Sequence, residues 1–66
     1  MRKEVILPLL KKKPFIPFKF ITKKGSVLNV INLISYSDTD FEFVDIKQNI
    51  VVQEYTGIDC IYSSEV

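Results

Sequence analysis

Histidine is absent from this chain of 66 residues, and alanine is absent too. Without an imidazole there is no His general base, no Ser/His or Cys/His pair, and no zinc site of the usual His-containing kinds. The single cysteine, Cys60, excludes an internal disulfide. It reads as a small buried apolar side chain in a protein kept under reducing conditions. Long apolar runs are missing as well. The stretch from Val5 to Leu10, broken by Pro8, is too short for a membrane span or an export signal. A cytoplasmic protein with no membrane partner is expected. A chain of this length buries only about 60% of the surface that its unfolded form exposes, which leaves little room for an enclosed pocket. No catalysis, no cofactor and no bound metal are therefore expected.

What the chain does hold is strand-forming. Nine Ile, seven Val and three Thr stand beside eight aromatics. These residues suit a pleated, half-buried surface, and the best helix former is missing. The net charge of +1 conceals a strong asymmetry. Residues 1–24 carry eight cationic side chains against Glu4, and residues 25–66 carry Lys47 against seven carboxylates, so the two parts stand near +7 and −6. Three readings follow: a basic surface for RNA or DNA, a head-to-tail assembly of copies, or ordinary cross-strand pairing within one domain.

Along the chain, residues 1–14 form a basic N-terminal segment and residues 15–66 a small β unit. Pro8 suits the first turn of a short helix running through Leu9, Leu10 and the lysines, which Pro14 would end; a strand over Glu4 to Leu7 is the alternative. Phe18 and Phe20 alternate with Lys19 and Ile21 in a first strand that Pro17 confines to an edge or a late start. Lys23, Lys24 and Gly25 make a turn, with Gly25 in the left-handed region. From Ser26 to Ser35 the polar residues recur every third position, and the segment reads as one long strand, bent by a bulge. Ser37 to Asp40 is a loop, and Phe41 to Ile46 a third strand. Lys47 to Asn49 is a tight turn with Asn49 left-handed, and Ile50 to Tyr55 a fourth strand. Thr56 and Gly57 turn into a fifth strand, Ile58 to Tyr62, with Ile58, Cys60 and Tyr62 on one face. Five short antiparallel strands describe a small barrel better than a sandwich.

The stretches "FKFITKKGSVLNV", "YSDTDFEFVD" and "IVVQEYTGIDCIY" resemble, in this order, the Sm-like family of small SH3-like barrels. That resemblance implies a five-stranded barrel with a short N-terminal helix, a ring of copies and RNA binding. It places Asp38 near the acidic position that closes the second strand, and Tyr55 to Gly57 near the RNA-lining turn.

The candidate residues fall into two sets. Lys11, Lys12, Lys13, Lys19, Lys23 and Lys24 neutralise phosphates in a nucleic-acid reading, with Tyr55 as a stacking ring. Asp38, Asp40, Glu42 and Glu54, with Tyr55 and Tyr62, form an acidic rim and aromatic contacts in a protein-binding reading. Phe18 and Phe20 share a face and read as core rather than as a stacking platform. "PFIPFK" has the spacing of a polyproline ligand but reads as the extended entry to the first strand. Asp38 and Asp40 read as a solvated turn rather than a cation site. The basic or His-containing signature of the Sm-like RNA site does not occur at residues 55–57. The favoured expectation is thus a non-catalytic adaptor or inhibitor that binds a protein, of the kind small mobile-element and phage genes encode. An oligomeric RNA- or DNA-binding regulator is the alternative, and self-association is expected in either case.

Overall fold

Ile6 and Leu10, one helical turn apart, are both buried, and they fix the position of an α-helix, α1 (Lys3–Leu10). The structure is a computed structural model and describes residues 2–63; residues 64–66 of the expected β unit, Glu65 among them, lie outside the described residues. α1 starts earlier than the sequence suggests and stops before the lysines, with Pro8 inside it rather than in its first turn. A proline there removes one backbone hydrogen bond and costs on the order of 3 kcal/mol. Burying two large aliphatic side chains, at about 1.5–3 kcal/mol each, offsets that cost.

Six strands follow: β1 (Phe18–Thr22), β2 (Val27–Val30), β3 (Asn32–Tyr36), β4 (Asp40–Val44), β5 (Ile50–Glu54) and β6 (Ile58–Ser63), with a 3-10 turn over Tyr55–Gly57 between the last two. They form two antiparallel three-stranded sheets, ordered β2-β1-β6 and β3-β4-β5. The expected class, mostly β with a short N-terminal helix, is what the structure has. The expected five-stranded closed barrel is not: among the described residues there are six strands, and no ladder joins β5 to β6.

The extra strand has a physical origin in the three-residue polar spacing. A straight strand alternates every two residues, so it cannot hold Asn29, Asn32 and Ser35 on one face. The chain slips phase twice instead. Ile31 breaks the strand, and its N–H donates to the Val44 carbonyl at 2.9 Å; a second register shift falls between Leu33 and Ser35. Leu28 and Val30 lie opposite Phe20 and Phe18, and Leu33 lies opposite Phe43, all on the core face. Asn29, Asn32 and Ser35 lie opposite Lys19, Val44 and Glu42 on the outer faces.

The core sits between the sheets and under α1. Phe20, Phe41, Phe43, Ile6, Ile58 and Val30 are fully buried. Phe20 meets Phe41 and Phe43 edge-on at 6.0 and 5.8 Å, an arrangement favoured by the ring quadrupoles. Two turns behave as their chemistry demands. Gly25 takes φ +90 between β1 and β2, as expected. Between β4 and β5 the left-handed residue is Gln48 (φ 67), not Asn49, because Asn49 donates its N–H to the Asp45 carboxylate at 2.8 Å and its side-chain amide to the same group.

A register shift between Ile21 and Thr22 also corrects the expected face of β6. Ile61 opposes Phe20, and Cys60 and Tyr62 oppose Ile21 and Lys19. Beyond the shift Ile58 is buried, so it does not share the outer face with Cys60 and Tyr62. Cys60 is only half-buried, on that outer face.

Candidate functional site

The expected basic residues are spread over the end of α1, strand β1 and the β1–β2 turn. Lys11 caps the C-terminal end of α1, with Lys12 and Lys13 directly after it, where cations are favoured by the helix dipole. Lys19 stands on the outer face of the first sheet, with its Nζ 5.7 Å from the centre of the Tyr62 ring. Lys23 and Lys24 occupy the β1–β2 turn, about 13 Å further along the strand from Lys19 at roughly 3.3 Å per residue. The backbone N–H of Lys23 donates to the Gly57 carbonyl at 2.9 Å, which ties that turn to the 3-10 segment.

Tyr55, expected as an exposed contact in both sets, is a core residue. It is 2% exposed and stacks on Phe41 at 5.6 Å, and its hydroxyl donates to the Ser37 carbonyl at 2.8 Å. Its backbone N–H donates to the Thr39 carbonyl. Burial, then the charges of Asp40 and Asp38 and the Tyr36 phenol, push its own phenol above the ordinary value. The 3-10 turn brings this ring inward: the extended backbone of β5 ends at Glu54, and the helical turn redirects the next side chain. Tyr62 does stand exposed, but on the first sheet, whereas Asp40, Glu42 and Glu54 lie on the second. Its phenol is raised first by a hydrogen bond with Cys60.

The acidic set, by contrast, does come together. Asp40 lies directly opposite Glu54 across β4 and β5, and Glu42 follows on the same outer face, opposite Val52. Asp38 lies in the loop beside them and pairs with Lys3 at 3.1 Å. An exposed pair of that kind is worth about 0–1 kcal/mol. Between α1 and the start of β4 lies an open cleft of about 440 Å³, lined by Lys3, Glu4, Asp38, Thr39, Glu54 and Thr56. Charges of both signs line it, and Lys3 and Asp38 already partner each other. Among the described residues, no three His, Cys, Asp or Glu side chains stand where they can hold a metal ion.

The outer face of the second sheet holds a feature absent from both expected sets. Ile50 is 66% exposed and Val52 60% exposed on β5, with Val44 of β4 directly opposite Ile50. Among the described residues β5 ends its sheet and is paired with β4 alone. One signal was present in the sequence. Ile50, Val51 and Val52 are consecutive apolar residues, so in an antiparallel sheet with one solvated face at least one of them must face water. An apolar strand at a sheet end is a template for another chain.

These features describe a small β-rich protein with an open, apolar and acidic sheet edge. No protein-family model, no curated protein and no solved structure matches the chain. Among the described residues no helix is long and apolar enough to cross a membrane.

Proposed function

We propose that the chain is a non-catalytic protein-binding module of SH3-like or Sm-like architecture, which engages its partner by strand addition at β5. In that architecture β2 and β3 stand for one strand bent at Ile31, and the two sheets form a barrel left open between β5 and β6. Two features support that architecture: the one-residue break at Ile31 and the short 3-10 link between β5 and β6. The observation that carries the functional reading is β5 itself, a sheet-terminal strand with Ile50 and Val52 exposed. Main-chain hydrogen bonds supply affinity in such an addition, and alternate side chains supply specificity. The buried Tyr55, withdrawn from any stacking role, favours protein over nucleic acid. A head-to-tail assembly, which the charge asymmetry suggests, uses the same kind of edge and is read from solution mass.

The test sets the isotope-labelled chain against a panel of extended peptides and, separately, a fluorescent oligonucleotide at low salt. Peptide-induced amide shifts centred on Ile50–Glu54, and lost on Val52→Lys, are expected. Oligonucleotide binding that falls steeply with salt and on Lys23→Glu plus Lys24→Glu, with no peptide-induced shifts, replaces this reading with the nucleic-acid one.

A further inference from the structure

We infer that the β5 edge selects an extended segment reading, from N- to C-terminus, basic-x-apolar-x-apolar; this rests on the strand-addition reading above. β5 is better suited to receive a strand than the other sheet ends. Register shifts interrupt β3 and β6, whereas β5 pairs with β4 over all five residues without one. β2 is one residue shorter and leads through Ile31 into β3. Neither Lys nor Pro blocks β5, although those residues are the ordinary protection of an exposed edge.

The outer face then dictates what the incoming strand must carry. Ile50, Val52 and Glu54 alternate on that face. A strand added about 4.8 Å away sets its own alternate side chains directly beside these three. Two positions meet aliphatic groups. The third meets Glu54, with Asp40 immediately behind it and Glu42 one step along β4. Of the cations, Lys47 lies in the β4–β5 turn beside Ile50, at the opposite end of β5 from Glu54, while Arg2 and Lys3 line the cleft that Glu54 also lines, with Glu4 beside them and Lys3 already paired with Asp38. Three carboxylates at one end of an apolar edge call for Lys or Arg there and disfavour Asp or Glu. Antiparallel addition is the slightly more stable mode, and it places the basic residue first in the incoming segment.

Two short acetylated peptides test this, one carrying Lys-Thr-Val-Thr-Ile and one Glu-Thr-Val-Thr-Ile, with binding read by fluorescence anisotropy and by amide shifts of the labelled chain. The basic peptide is expected to bind about tenfold more tightly, because a favourable cross-strand charge pair is exchanged for a like-charge one. Glu54→Lys should reverse the preference, and Asp40→Lys should weaken it if Glu54→Lys proves unfolded by circular dichroism. Equal binding of both peptides at β5 overturns the charge selection and leaves strand addition standing. Shifts at β5 from neither peptide overturn the inference; the Val52→Lys comparison on the peptide panel then decides strand addition separately. A stable oligomer at assay concentration, with β5 amides protected from exchange, also overturns it, because a second copy then fills the edge.

Discussion

Replacing Tyr55 with Phe removes one oxygen from the core and leaves every carbon in place. The ring keeps its stacking on Phe41 at 5.6 Å, so the substitution isolates the 2.8 Å hydrogen bond to the Ser37 carbonyl. Losing a neutral hydrogen bond costs about 0.5–1.5 kcal/mol, and more when the abandoned partner stays buried. Ser37 is exposed, so water can replace the lost donor and the cost should sit near 1 kcal/mol. For a domain of this size that corresponds to a fall in Tm of about 4–8 °C. The same hydroxyl controls the alkaline limb. Burial raises the Tyr55 phenol above its ordinary 10.0, so folding favours the protonated form. That stabilisation is complete below pH 10 and is lost as the pH climbs through the higher folded-state value. Thermal melts of both proteins from pH 7 to pH 11 check the argument. The wild type should lead by several degrees at pH 7, and the gap should narrow above pH 10. Equal melting at pH 7, or a gap that widens in alkali, refutes the reasoning.

Phe20→Ala removes the ring that meets both Phe41 and Phe43; such truncations cost about 3–5 kcal/mol, comparable with the whole stability of so small a domain, so circular dichroism and amide dispersion should show an unfolded chain. Gly25→Ala meets no steric obstacle but forces a side chain onto φ +90, and chemical denaturation should register a loss of roughly 1 kcal/mol. The Asp45 carboxylate, held below its ordinary 3.8 chiefly by the Asn49 amide, should titrate below that value by NMR. Its stabilisation is present above the unfolded value and lost as pH falls through the folded one, and Asp45→Ala should speed exchange at the Lys47 and Asn49 amides. Val52→Lys should leave the Tm within about 2–4 °C, since surface substitutions usually change stability by less than about 0.5 kcal/mol.

Composition and alternation alone give away the class, the places of the turns and most of the core. β-branched and aromatic residues without alanine dictate strands, and strict alternation buries Phe18 with Phe20 and Phe41 with Phe43. Gly25 marks its turn because few other residues accept its backbone geometry. The acidic half of the candidate site was legible as well: Asp40, Glu42 and Glu54 do share one face, as alternation on paired strands requires.

Tertiary structure decided the rest. Tyr55 went inside because a 3-10 turn follows β5, and Ile58 went inside because β6 shifts register against β1. Ile50 and Val52 were left in water because α1 and the other sheet cover only one face of β4 and β5. Which way a strand residue points depends on the phase of its pairing with a neighbour distant in the chain. A one-residue slip in that pairing reverses every later side chain without changing the composition or the local pattern that a sequence displays.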